Sequence, residues 1–182
     1  MRPLFTIHAG EFLAAAYIEQ HFRKVNVWVP TRDAGIDLLV SKRRNRQAVA
    51  LQVKYSRDFL VTHKGPELQR GLRACGWWTL NRDKLRMSPA DYWVFVLQGF
   101  ANRSVDYVIV RPKELLGRLD RIHGRQKVIQ MYLWVTEGAK CWEARGLKHN
   151  DELLISLGEF TDPSRDFSKW LNAWSPISRL NR

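Results

Sequence analysis

A chain of 182 residues, 45% hydrophobic and 26% charged, is long enough to bury a core and too apolar to be disordered over most of its length. Thirty Lys and Arg against 18 Asp and Glu give a net charge of +12, which favours a polyanionic partner such as DNA, RNA or an anionic membrane unless it only reflects a basic background composition. Two cysteines, Cys75 and Cys141, exclude a disulfide framework and a cysteine-built zinc site.

The N-terminal stretch is apolar in places, but His8, Glu11 and Glu19 interrupt it and no small-residue cleavage pattern follows. The expectation is no signal peptide, no membrane span and a cytoplasmic protein. Residues 10–24 lack proline, are rich in alanine and end in Arg23 and Lys24, which predicts a helix. Its stripe of Glu11, Ala15, Ile18 and Phe22 has one acidic member, Glu11, at the end where a carboxylate complements the helix dipole. Val25–Pro30 alternates and stops at a proline, as a first strand does.

Residues 35–55 read GIDLLV, then SKRRNRQ, then AVALQVKY. Two β-branched apolar runs around a short basic loop predict a hairpin. A symmetric turn with its midpoint between Arg44 and Asn45 sets Asp37 opposite Gln52. Strand alternation then gives Ala50, Gln52 and Lys54 one face and Val49, Leu51 and Val53 the other. Cross-strand neighbours have Cβ atoms roughly 4.5–5.5 Å apart, so a carboxylate, an amide and an ammonium converge. One reading is a salt bridge between Asp37 and Lys54 on a solvated face. The other is a site for a hard divalent cation, which takes oxygen ligands and keeps waters, with a lysine beside them. The loop's Lys42, Arg43, Arg44 and Arg46 read as a solvated turn or as backbone contacts to a phosphodiester.

The residues Asp33, Gly35, Ile36, Asp37 and Leu38, followed after a spacer by Gln52, Val53 and Lys54, resemble the PD-(D/E)XK nuclease superfamily. The branch is the one with Gln at the second acidic position, most similar in style to its Mrr-like and archaeal Holliday-junction-resolvase-like members. Two departures stand out: no proline directly precedes Asp37, and Gln52 replaces the Asp or Glu of the name. The resemblance covers about the first 100 residues. It implies an α/β fold with a restriction-endonuclease-like αβββαβ core, a mixed central sheet flanked by helices, over about residues 6–100. The rest, about 101–182, is expected as a C-terminal β/α elaboration within one domain.

The resemblance also implies a metal-dependent endonuclease acting on DNA, branched or duplex, with RNA and a homodimer left open and no membrane partner. Mg²⁺ or Mn²⁺ is expected on Glu11, Asp37, the Gln52 amide oxygen and the Val53 carbonyl. Lys54 then orients or deprotonates the attacking water, completing a catalytic set of Glu11, Asp37, Gln52 and Lys54. Nucleic-acid contacts are expected from Lys42, Arg43, Arg44, Arg46, Tyr55, Arg57, Lys64, Arg70 and Arg73. The alternative is a non-catalytic nucleic-acid-binding protein that retains the nuclease fold.

Further along, Pro66 opens a predicted helix running through ELQRGLRAC to Cys75, with Leu68, Leu72 and Cys75 on one face. Trp77-Trp78 reads as core or edge packing in preference to base stacking. Tyr92–Gln98 is a nearly continuous apolar run, a buried fourth core strand, and Val105–Val110 is another strand. A short helix starts near Pro112, 128–135 is a strand, and 138–146 pairs back on it. Asp162-Pro163 marks a turn, and 164–174 is amphipathic at helical spacing, with Phe167, Trp170, Leu171 and Trp174 on one face. His149-Asn150 reads as a loop. No GxSxG, P-loop or HExxH pattern occurs, so acyl hydrolysis, P-loop nucleotide binding and zinc peptidase chemistry find no support.

Overall fold

The structure, a computed structural model, describes residues 8–32, 34–42, 47–57, 65–99 and 104–182. Helix α1 (Ala9–His21) leads into strands β1 (Val25–Trp28), β2 (Leu38–Lys42) and β3 (Ala48–Arg57). Helix α2 (Pro66–Gln69), strand β4 (Leu72–Asn81) and helix α3 (Arg82–Arg86) follow, then β5 (Tyr92–Gln98), β6 (Val105–Val110) and α4 (Pro112–His123). The chain closes through β7 (Val128–Thr136), β8 (Cys141–Glu143), α5 (His149–Leu157), a 3-10 turn (Ser168–Trp170) and α6 (Ser175–Leu180).

The protein is α/β. A mixed five-stranded sheet runs β1-β2-β3-β5-β6, antiparallel throughout except for the parallel pair β3 and β5. A second, antiparallel sheet runs β4-β7-β8. Alternation along β5 explains how the two stack: Trp93, Phe95 and Leu97 face one cluster while Val94 and Val96 face another. The first cluster takes Trp78 and Leu80 from β4, Met131 and Leu133 from β7, and Leu115 and Leu119 from α4. The second takes Ala14 and Ile18 from α1 with Ile177 and Leu180 from α6. Both faces of the central sheet are therefore covered, which is why β5 is apolar almost without interruption. The outer face of the second sheet buries Cys75, Trp134 and Trp142 against Ile155 of α5.

The hairpin pairs Leu38 with Leu51, Leu39 with Ala50, Val40 with Val49 and Ser41 with Ala48, the register expected from a midpoint between Arg44 and Asn45. The loop itself lies outside the described residues. Leu51 and Val53 pack toward α1, with Val49 alongside, so Gln52 and Lys54 take the opposite face as alternation predicts.

Three expectations fail. The helix predicted from Pro66 to Cys75 stops at Gln69, and Leu72–Asn81 is a strand of the second sheet. The Ser156 hydroxyl donates to the carbonyls of Glu67 and Leu68, ending α2 against α5. Gly71 lies so close to the Ser156 carbonyl oxygen that any Cβ there would collide with it. The amphipathic segment 164–174 forms only a turn at Asp162–Arg165 and the 3-10 turn, because it runs along β6, where Leu171 bridges Val108. Phe167 and Trp170 enter one face of the central sheet and Trp174 the other, an arrangement that one helical stripe cannot make. His149-Asn150 opens α5 and is not a loop.

Packing runs across residue 100 within the described residues. Strand β4 pairs with β7, and α6 returns to cover β2 and β3. Among the described residues, no helix is long and apolar enough to cross a membrane.

Candidate active site

A cleft of about 950 Å³ opens beside β3. Glu11, Asp37, Gln52, Val53 and Lys54 all line it. The opposite wall comes from Trp78, Asn81, Lys84 and Met87.

Asp37 stands one residue before β2 and takes over where the ladder ends. Its backbone N–H donates to the Leu51 carbonyl at 2.8 Å, and its Oδ2 accepts the Val53 N–H at 2.6 Å. One carboxylate oxygen is thereby held against β3, which fixes the direction of the group. A charged acceptor on a backbone N–H is among the stronger hydrogen bonds.

Glu11 reaches the cleft because α1 sits close on β3. A Cβ at Gly10 would lie 2.6 Å from the Tyr55 Cβ, so glycine is what permits this approach. The buried stripe of α1 is Gly10, Ala14 and Ile18, which leaves Glu11 at its half-buried border. Its Oε2 accepts the His8 N–H at 3.2 Å, an N-terminal capping contact. Burial, above all, raises the Glu11 carboxyl above its ordinary value, with Asp37's charge adding to it; the His8 contact, the His8 side chain and Lys54 pull the other way. Two carboxylates and an ammonium thus sense one another across the cleft.

Lys54 holds its ammonium 5.5 Å from the centre of the Trp93 ring. That ring is fixed by its own Nε1–H, which donates to the Ser88 hydroxyl at 2.8 Å. Gln52 pairs with Trp93 across β3 and β5.

The expected nucleic-acid contacts scatter. Tyr55 lines the cleft and donates its hydroxyl to Gln98 Oε1 at 2.6 Å. Lys42, at the end of β2, and exposed Arg70, after α2, stand outside the cleft. Arg73 lies on β4, where its guanidinium makes a two-pronged ion pair with Asp106, at 2.9 and 2.7 Å. Arg43, Arg44, Arg46, Lys64 and the Arg57 side chain lie outside the described residues, as does Asp33.

Of the paired tryptophans, Trp78 is 7% exposed in the core and Trp77 is 49% exposed. Asn81, Lys84 and Trp93 line the cleft without having been singled out. A signal existed for two of them: Asn81 caps α3, accepting the Lys84 N–H at 3.0 Å, and asparagine before a charged run is a helix-start signature.

Compared with protein-family models, with curated proteins and with solved structures, the chain matches none.

Proposed function

We propose that the cleft hydrolyses phosphodiester bonds of nucleic acid with a divalent cation, as an endonuclease acting on DNA. The observation that carries this reading is the convergence of Glu11, Asp37, Gln52 and Lys54 on one cleft. The path α1-β1-β2-β3, with β5 added parallel to β3, supports a restriction-endonuclease-like core. Its crossover departs from that pattern, carrying α2, β4 and α3 in place of one long helix.

The donors fit Mg²⁺ or Mn²⁺ in kind: two carboxylates, a neutral amide oxygen and the Val53 carbonyl are hard oxygen ligands. Among the described residues no three His, Cys, Asp or Glu side chains group as a metal site; it is the resemblance to the PD-(D/E)XK superfamily that gives Gln52 the position of a third acid. The Glu11 carboxyl, raised first by burial and further by the charge of Asp37, supports the fit, since a cation beside it would favour its ionised form. When bound, such a cation polarises the phosphate and lowers the pKa of a coordinated water.

The chain's own residues supply direction and charge. Asp37, anchored on Val53, keeps one fixed orientation. Lys54 sets an ammonium in the cleft, suited to orienting water and to stabilising the negative charge that builds on the phosphate oxygens. A water oxygen bonds to phosphorus as the bond to the leaving sugar oxygen breaks; the water gives up one proton and the sugar oxygen takes one up. Plasmid DNA incubated with the protein in Mg²⁺ or Mn²⁺ should be nicked, and EDTA should stop it. Absence of nicking on DNA and RNA, together with no cation binding by calorimetry, would favour the non-catalytic binding protein.

A further inference from the structure

A second pocket, of about 320 Å³, lies between α4 and the 3-10 turn and shares no lining residue with the cleft. Four cations line it, Lys113, Arg118, Arg121 and Lys169, against one carboxylate, Glu114. That carboxylate is engaged, accepting the Trp170 Nε1–H at 3.2 Å. The two acids nearby are engaged as well: Asp162 Oδ1 accepts the N–H and hydroxyl of Ser164, and Asp166 Oδ1 accepts the Ser168 N–H. Among the lining residues positive charge predominates, four cations to one carboxylate.

Arg118 is the centre of this imbalance. Its Nη1 donates to the carbonyls of Pro163 and Ser164, which fixes the guanidinium, while its buried Nε has no hydrogen-bond partner. Burial first, and then Arg121, hold its proton affinity below the usual guanidinium range, against the pull of Asp166 and Asp162. Trp170 gathers the cations, with Lys169 Nζ 4.3 Å and the Arg118 guanidinium carbon 5.2 Å from its ring. Arg121 lies back along α4, its Nε donating to the Gly117 carbonyl at 3.2 Å.

Gly117, exposed on α4 between these cations, leaves the pocket open, and a Cβ there would meet nothing within 4 Å. We propose that this pocket is an anion site that binds a phosphate group, belonging either to a polynucleotide or to a small free phosphate compound. Planar guanidinium groups beside an ammonium are the recognition chemistry of phosphate.

The test is an NMR titration of the full chain with inorganic phosphate, reading the arginine guanidinium signals, with chloride at matched ionic strength as control. Saturable shifts of Arg118 and Arg121 are expected in the unmodified protein and in Gly117→Ala. In Gly117→Glu, whose carboxylate enters the pocket, affinity should fall about tenfold, because like charges are set together. Lys169→Glu, on the exposed turn, should do the same and serves if Gly117→Glu fails to fold. A duplex oligonucleotide distinguishes the sources: loss of duplex affinity in parallel with phosphate affinity assigns a polynucleotide, and unchanged duplex affinity assigns a free phosphate compound. Shifts reproduced by chloride, or undiminished in both charged variants, would overturn the site. Asp37→Asn should leave phosphate binding intact, so failure of the nuclease reading is separable from failure of this one.

Discussion

The Asp37 carboxylate accepts the backbone N–H of Val53 at 2.6 Å, so the first acid of the cleft is also a structural clamp on β3. Alanine at position 37 would leave a strand N–H without that partner, at about 1–3 kcal/mol. Asparagine keeps an acceptor oxygen and removes only the charge. Asp37→Asn should therefore melt within about 1 kcal/mol of the unmodified protein while nicking no DNA, and Asp37→Ala should lose both stability and activity. Equal activity in Asp37→Asn would assign the residue to structure alone.

Glu11 gives a pH signature. The folded state holds its proton more tightly than the unfolded chain, so the ionised carboxylate opposes folding. That penalty is absent below the ordinary value of 4.5 and grows as pH rises through the raised folded value. Glu11→Gln keeps an oxygen for the His8 N–H, and its melting temperature should gain on the unmodified protein as pH rises above 4.5. Mg²⁺ should raise the melting temperature of the unmodified protein and not that of Glu11→Gln.

Lys54→Ala should abolish nicking with duplex affinity nearly unchanged, because one ammonium acting on the transition state contributes little to ground-state binding. Its loss from the Trp93 ring should cost about 0.5–1 kcal/mol. Lys84, exposed on the far wall of the cleft, should behave oppositely. Lys84→Ala should weaken binding and reduce the slope of log affinity against log salt by about one, with no change in melting.

Arg73 and Asp106 separate structure from binding. Asp106 keeps 5% of its side chain exposed and is also bonded by Asn172 Nδ2 at 2.9 Å. Arg73→Ala strands a buried carboxylate, at roughly 3 kcal/mol. Chemical denaturation should show that loss, while the folded variant keeps the salt dependence of duplex binding.

Gly10→Ala forces a Cβ to 2.6 Å from that of Tyr55, which lifts the start of α1 from β3 and moves Glu11. Overpacking of this kind costs about 1–3 kcal/mol. Nicking should fall along with stability, and a crystal structure of the variant should show Glu11 displaced from Asp37.

Short-range rules made the hairpin and the buried strands legible in the order of residues. Two β-branched runs around one loop defined the register of Leu38 on Leu51, and strand alternation put Gln52 and Lys54 on the face away from α1. Tyr92–Gln98 and Val105–Val110 were legible because apolar runs of that length between polar breaks have few other uses. The rest depends on partners distant in the chain. Leu68, Leu72 and Cys75 fit a helical face, yet residues 72–81 became a strand because β7, more than 40 residues on, offered a backbone ladder that no local propensity reveals. Phe167, Trp170 and Trp174 are apolar and buried, but the edge of β6 divides them between two faces. The cleft follows the same division. Asp37, Gln52 and Lys54 meet through local pairing, whereas Glu11, Lys84 and Trp93 join them because helix approach, sheet stacking and the parallel β3–β5 pair close space between segments far apart in sequence.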